Sequence, residues 1–138
     1  MEGTFPVEGM ELTHLFVVSD MGRSLPWYRD VLGATLVREY GGTSAVLQFL
    51  GNWLLLVTGG GPTKDKPTVT FAPPADPNVV SGELIMRVPD CQATYEVLSS
   101  RGAEFITPPM RQEWGGEIRC FFRDPDGYLF EISELVAS

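Results

Sequence analysis

The chain has 138 residues, of which 43% are hydrophobic and 20% are charged, and its net charge at pH 7 is −8. This length suits one domain with a buried core. Nucleic acids and anionic membranes attract clustered Lys and Arg, so an acidic chain predicts neither as a partner. The longest apolar runs, such as NWLLLV, fall well short of the ~20 residues that cross a bilayer.

Neither the N-terminus nor the cysteines indicate export. The segment MEGTFPVEGM lacks the basic start and the apolar stretch of a signal peptide. Cys91 and Cys120 lie far apart, without the spacing of metal ligands. We therefore expect two small, buried, reduced thiols in a cytoplasmic protein.

The first half of the chain predicts a strand, a helix and three further strands. Residues 11–18 are apolar and end at Asp20, and apolar residues recur at helical spacing over residues 21–32, before the stop at Gly33. Pro26 lies inside that helix, so we expect regular helix only from about Ser24, after a distorted first turn. The strands predicted next are residues 34–40, 44–50 and 52–58.

The second half repeats this order. A strand over residues 83–88 leads to Asp90, which lies 70 residues after Asp20, and Cys91, Tyr95 and Leu98 mark the face of a second helix. The strands predicted after it are residues 104–107, 117–122 and 128–133. The sequence therefore predicts a single domain over residues 1–138, made of two βαβββ modules: module 1 over about 11–58 and module 2 over about 81–134.

An irregular segment joins the two modules. We call residues 59–80 the connector; its sequence, GGGPTKDKPTVTFAPPADPN and the two valines that follow, is rich in proline and glycine. Segments of this length in compact domains are often lids over functional sites, and plain linkers between modules also have this composition. The sequence leaves both interpretations open.

Two motifs carry a resemblance to a known family. SDMGRSLPWYRDVLG, at the first strand–helix junction, and FFRDPDGYLFEIS, at the last hairpin, closely resemble the vicinal oxygen chelate superfamily. That superfamily includes glyoxalase I, extradiol dioxygenases, and fosfomycin- and bleomycin-resistance proteins. The resemblance implies an α+β fold in which two βαβββ modules form a curved eight-stranded cup around a divalent metal. It leaves the chemistry open, because this fold carries many activities.

Glu131 matches the metal-binding pattern of that superfamily best. It follows the turn glycine, Gly127, by four residues, where relatives carry a ligating glutamate. Its position between Phe130 and Ile132 also makes burial costly unless a cation or a hydrogen-bond donor receives the carboxylate. The alternative is an exposed glutamate at the end of a sheet.

The other three family positions depart from the pattern. Glu83 stands where metal-binding relatives commonly have histidine; it is either an oxygen ligand or a solvent-facing carboxylate. Leu55 stands where glyoxalase I-like members have glutamate, and leucine binds no metal. His14 is six residues before Asp20 rather than seven, which is the position of Thr13. Strict alternation turns His14 toward the helix with Phe16, whereas a β-bulge would return it to the cup.

If His14, Glu83 and Glu131 assemble, they form an oxygen-rich site suited to Mn²⁺, Mg²⁺, Ni²⁺ or Zn²⁺ as a Lewis acid. In that scheme Glu131 anchors the metal and Glu83 is the general base. The pocket-lining candidates are Gln48, Trp53, Arg87, Trp114 and Arg119.

Two functions remain in view from the sequence. One is a metal-dependent enzyme of the lactoylglutathione lyase or dioxygenase type, acting on a small oxygenated metabolite. The other is a metal-free small-molecule binding protein like the bleomycin-resistance members. Leu55, the lack of histidine at position 83 and the register of His14 favour the binding protein. Glu131 favours the enzyme, because most relatives with this glutamate use it on a metal. The resemblance also implies a homodimer, with or without exchange of modules between subunits.

Overall fold

The computed structural model describes residues 3–137. The chain has an α+β fold of two modules, as the sequence predicts. Module 1 contains β1 (Thr13–Val18), α1 (Met21–Pro26), β2 (Thr35–Tyr40), β3 (Ser44–Phe49) and β4 (Asn52–Thr58). Module 2 contains β5 (Leu84–Arg87), α2 (Cys91–Ser100), β6 (Glu104–Phe105), β7 (Met110–Arg111), β8 (Glu117–Arg123) and β9 (Leu129–Leu135). None of the helices in the described part of the chain is long and apolar enough to span a membrane.

Each module forms its own sheet, and the two sheets do not close into a barrel. Sheet 1 has the strand order β1-β4-β3-β2, and sheet 2 has the order β5-β9-β8-β6, with β7 also paired to β8. In both sheets the first strand of the module runs parallel to the last one, and the other pairs are antiparallel. The internal repeat in the sequence therefore corresponds to a repeated strand order.

The edge strand of module 2 is shorter than the sequence predicts. In place of one strand over residues 104–107, β6 and β7 are two separate pairs of residues along β8. Pro108 and Pro109 lie between them. Proline has no N–H to donate to the strand ladder, so the edge is interrupted at this point.

The first helix begins earlier than predicted. It starts at Met21, and the Ser24 N–H already donates to the Asp20 carbonyl at 2.9 Å. The distortion follows Pro26 instead, where the chain widens into a π-helix over Trp27–Val31. Pro26 removes one donor from the helix, and the irregular bonding lies after it, where the Leu32 N–H donates to the Trp27 carbonyl five residues back.

The two sheets share one core. We call the face of each sheet that packs into this core its inner face and the opposite face its outer face. Phe16, on the inner face of sheet 1, stacks on Phe130, on the inner face of sheet 2, with ring centroids 5.6 Å apart. Tyr28 and Trp27 pack between the sheets, with centroids 6.1 and 5.6 Å from that of Phe130.

The turn between β8 and β9 docks on the free edge of β1. The Val17 N–H donates to the Tyr128 hydroxyl at 3.1 Å, and the Ser19 N–H donates to the Asp126 carboxylate at 3.2 Å. Gly127 has φ +96°, and an added Cβ would lie 2.8 Å from Pro77 in the connector. Glycine is required here by both the backbone conformation and the space.

Candidate functional site

Two carboxyl groups meet at the start of β5 and the middle of β9. Glu131 is paired with Ile85 on one side and with Phe121 on the other, on the outer face of sheet 2, and it is only 3% exposed. The side chain of Glu83, just before β5, lies within hydrogen-bonding reach of Glu131. A hydrogen bond between two carboxyl groups requires a proton on one of them. Glu131 is therefore not the exposed glutamate of the alternative interpretation.

The pair shifts the ionisation of Glu131 strongly. Burial and then the neighbouring Glu83 raise the pKa of Glu131 from 4.5 to about 7, while the Arg119 charge acts in the opposite direction. Burial disfavours a carboxylate, and a second carboxylate at hydrogen-bond distance disfavours it further. Carboxyl groups tuned to neutral pH in this way occur preferentially at functional sites.

A cavity of about 410 Å³ lies beside this pair, and we call it the connector cavity. Its walls come from β1, from the start of β5, from the β8–β9 turn and from the connector. The lining residues are His14, Phe16, Ala72, Pro74, Val79, Val80, Ser81, Gly82, Glu83, Leu84, Gly127, Tyr128 and Leu129. Glu83 thus faces the cavity and also contacts Glu131, which is not among the lining residues.

His14 is the second titratable group of the connector cavity. The pairing of β1 with β4 is continuous, with His14 opposite Leu54, so β1 carries no bulge. Its ring centroid lies 4.3 Å from that of Phe16, on the inner-face side that strict alternation predicts. Burial lowers the pKa of His14. Because a lower pKa favours the neutral imidazole, the ring offers one donor and one acceptor near pH 7.

The donor set does not fit a protein-held metal ion. Within residues 3–137, no three His, Cys, Asp or Glu side chains are grouped closely enough to bind one. His14, Glu83 and Glu131 are therefore not assembled as the three ligands that the resemblance implies. Glu131 lies on the outer face of sheet 2, whereas His14 lies on the side of Phe16. Leu55, on the outer face of sheet 1, has no donor atom.

The five predicted pocket residues lie on the two outer faces or beside them, and none lines the connector cavity. Gln48 and Trp53 are directly opposite each other on β3 and β4. Arg87 and Arg119 flank Ser133 on sheet 2. The Arg119 guanidinium carbon is 5.1 Å from the centre of the Trp114 ring, a cation–π contact.

Sequence reasoning missed the connector cavity itself. The sequence pattern indicates strands at Leu84 and Tyr128 and an irregular segment at Val79 and Val80, and neither pattern indicates a cavity. The one available signal was the turn glycine Gly127, because a conformation that requires glycine often accompanies close approach of another segment. That segment is the connector, through Pro77.

The sequence from residue 11 to 132 matches the family model described as Glyoxalase/Bleomycin resistance protein/Dioxygenase superfamily. This match covers most of the chain. The chain belongs to that superfamily. The repeated strand order, the parallel first and last strands of each module and the resemblance noted from the two motifs agree with this membership.

Several relatives cover nearly the whole chain. A probable lactoylglutathione lyase of Synechocystis is 26% identical over 129 residues, covering 89% of this chain and 94% of the relative. A lactoylglutathione lyase of Haemophilus influenzae is 27% identical, covering 91% and 93%. The crystal structure of a glyoxalase/bleomycin resistance protein/dioxygenase from Nocardioides has a TM-score of 0.72 at 23% identity, covering 96% and 87%. The structural match supports the fold, and activity is a separate question.

Proposed function

We propose that this chain binds a small oxygenated molecule in the connector cavity and that Glu83 transfers a proton on it, as a glyoxalase-like lyase or isomerase. The observation that carries this proposal is the carboxyl pair: Glu83 faces the cavity while the buried Glu131 lies within hydrogen-bonding reach of it from behind. A pocket with a few polar groups and a strongly perturbed carboxyl is the arrangement expected of an acid–base site.

Each polar group of the cavity has a distinct role in this scheme. Glu83 takes a proton from a carbon next to a carbonyl group, and the electron pair of that C–H bond moves onto the carbonyl oxygen. The His14 imidazole N–H donates a hydrogen bond to the oxygen that gains this charge. The hydroxyl group on the deprotonated carbon gives its proton to that oxygen, and Glu83 returns its own proton to the former carbonyl carbon, so that the carbonyl and the hydroxyl exchange places. Glu131 is a positioning residue, because it orients Glu83 without lining the cavity.

The scheme has no step that requires a divalent metal. A protein-held Zn²⁺ ion has three or four side-chain ligands, and residues 3–137 contain no group of three His, Cys, Asp or Glu side chains that could hold a metal ion. Two relatives named lactoylglutathione lyase support proton transfer as the reaction type, because such a lyase rearranges neighbouring carbonyl and hydroxyl carbons.

A second candidate function is binding without turnover. The aromatic rings of Phe16 and Tyr128, together with Leu84 and the connector valines, make most of the cavity wall apolar. Walls of this kind retain a ligand without chemistry, as in the metal-free binding members that the resemblance includes. Turnover, not affinity, separates the two candidates.

We also propose that the chain forms a homodimer through its outer faces. Leu15, Val46 and Leu55 form a half-buried apolar patch on the outer face of sheet 1, and their backbones are paired side by side. On sheet 2, Ile85 is 52% exposed beside Glu131. Apolar surface of this kind favours burial by a partner. A second copy of the chain carries the same faces, as a two-fold symmetric interface requires.

Proton transfer is testable with an uncharged probe, 2-hydroxyacetophenone, whose hydroxyl and carbonyl oxygens are on neighbouring carbons. In D₂O, the protein should accelerate the exchange for deuterium of the two hydrogens on the carbon that bears the hydroxyl group. Proton NMR measures the rate of this exchange. Glu83→Gln should abolish the acceleration, and Glu96→Gln, an exposed change on α2, should leave it unchanged. Equal rates for wild type and Glu83→Gln would reject the catalytic role, and tight binding without exchange would favour the second candidate.

A further inference from the structure

We infer that the ligand of the connector cavity is an uncharged, largely apolar hydroxy compound and not an anionic conjugate. This inference rests on the proposed function only because both concern the connector cavity. The ligand preference depends on the charge and polarity of the cavity walls, whereas the proposed reaction depends on proton transfer by Glu83. Two relatives are named after lactoylglutathione, a tripeptide thioester with two carboxylates. An uncharged ligand would distinguish this chain from them.

The charges around the cavity disfavour an anion. Its lining residues, all within the described part of the chain, include no Lys or Arg, and Glu83 is the one carboxylate among them. A ligand carboxylate would therefore be moved out of water toward a like charge, without a cation to compensate it. The net charge of the whole chain, −8, acts in the same direction.

One basic side chain, Arg123, contacts the lining residue Gly127, and its guanidinium is already occupied. Arg123 belongs to β8, and its guanidinium donates to the carbonyls of Pro77 and Gly127 and to the side chain of Asn78. These bonds fix the connector to the β8–β9 turn. Arg123 would have to leave them to reach a ligand anion, which would also release the connector wall.

The walls select the body of the ligand, and two side chains select its polar group. Phe16, Leu84 and Leu129 offer apolar surface from the strands, and Val79 and Val80 offer it from the connector. A molecule that fills part of about 410 Å³ gains most from burying apolar area against these residues.

The polar contacts favour a hydroxyl group. The Glu83 carboxylate accepts hydrogen bonds, and the imidazole of His14 has no hydrogen-bond partner within residues 3–137. A hydroxyl both donates and accepts, so one such group matches Glu83 and His14 together. His14 and Glu83 are both exposed, so a hydrocarbon would displace water from them without replacing its hydrogen bonds, at a cost in affinity.

Three probes with the same ring system test the inference: 2-naphthol, 2-naphthoate and naphthalene, each titrated calorimetrically into the full chain at pH 7.5. We expect 2-naphthol to bind at least about tenfold more tightly than 2-naphthoate, because a second carboxylate ~8 Å from Glu83 is strongly repelled. Naphthalene should bind more weakly than 2-naphthol. Equal or tighter binding of 2-naphthoate, or no binding of 2-naphthol, would overturn the inference.

A charge variant at the cavity wall provides the matched comparison. Val80→Lys adds a cation to the lining and should lower the ratio of the affinity for 2-naphthol to the affinity for 2-naphthoate. Val80→Leu should leave this ratio unchanged. An unchanged preference in Val80→Lys would contradict the charge argument. The result is independent of catalysis: selective 2-naphthol binding with no hydrogen exchange in the 2-hydroxyacetophenone assay would reject the proposed reaction and leave this inference standing. Hydrogen exchange together with equal binding of 2-naphthol and 2-naphthoate would reject this inference and leave the proposed reaction standing.

Discussion

The Tyr28 hydroxyl donates a hydrogen bond of 2.7 Å to the Asp124 carboxylate, and this contact joins the first helix of module 1 to the last turn of module 2. Tyr28 is fully buried and Asp124 is 5% exposed. Asp124 also accepts from the backbone N–H groups of Asp126 and Tyr128, so it organises the turn that docks on β1. Burial is the main cause that raises the pKa of Asp124, and these hydrogen bonds oppose it.

Tyr28→Phe should therefore destabilise the fold. Removing the hydroxyl leaves a buried carboxylate oxygen without its donor, a loss of about 1–3 kcal/mol in the free energy of unfolding. Urea denaturation followed by circular dichroism measures this loss. Tyr40→Phe is the matched control, since Tyr40 is 49% exposed on β2 and should tolerate the change. Equal effects of the two substitutions would show that the contact between modules contributes little.

The sequence predicts the parts of this molecule that depend on local pattern. Alternation correctly places His14 on the same side as Phe16, and Phe130 on the same side as Ile132, because strand side chains alternate regardless of what surrounds them. The break caused by Pro26 was expected on its N-terminal side and occurs on its C-terminal side. The rule for proline identifies a missing donor but not where the helix absorbs the distortion.

The parts that depend on distant segments were not predictable in this way. The connector cavity arises where residues 72–82 cover the ends of β1 and β9, and the connector has no periodicity to indicate its path. The contact between Glu83 and Glu131 likewise depends on β5 lying beside β9 in one particular register. Neither the covering of a cavity nor the distance between two carboxyls follows from spacing along the chain.

The carboxyl pair predicts a dependence of stability on pH. The pKa of Glu131 is about 7 in the folded chain, against an ordinary value of 4.5, so between these two pH values the folded chain keeps a proton that the unfolded chain releases. The free energy of unfolding should therefore fall as pH rises from 4.5 to about 7. Glu131→Gln should remove this fall in the free energy of unfolding, measured by urea denaturation at several pH values. Glu104→Gln, on the exposed edge, should leave the fall unchanged. A wild-type stability that rises with pH across the interval, and does so equally in both variants, would contradict the raised pKa.

Metal removal should leave the protein unchanged. Because the carboxyl pair offers too few ligands, protein purified without a His-tag should contain far less than one equivalent of Mn, Mg, Ni or Zn by elemental analysis. Dialysis against EDTA should alter neither the melting temperature nor the exchange rate of 2-hydroxyacetophenone. A ligand that binds the folded state raises its stability, so a large shift with any of these ions would reveal a site that the donor set does not indicate.

The proposed dimer predicts an effect of charge on the outer face of sheet 1. Leu55 is half-buried between Leu15 and Val46 on paired strands. Leu55→Lys should shift the chain toward monomer in sedimentation velocity, since a lysine at the centre of an apolar interface must lose its hydration. Val97→Lys, on the exposed face of α2, should leave the mass unchanged. A monomeric wild type, or a Leu55→Lys variant that stays dimeric, would remove this face as the interface.

The two cysteines are free and buried, as the sequence predicts, and their side chains lie within hydrogen-bonding reach of each other. Cys91 begins α2 and Cys120 lies in the middle of β8, with exposures of 0% and 1%. Burial is the main cause that raises the pKa of both thiols, and it brings Cys120 to about 12. Since the thiolate is the reactive form, neither should react with Ellman's reagent in the folded protein, and both should react in guanidinium chloride. Cys91→Ala, which removes one group from the count, should leave one reactive thiol in denaturant and none in buffer. Rapid reaction of either thiol in buffer would show that α2 opens from the sheet far more often than its packing indicates.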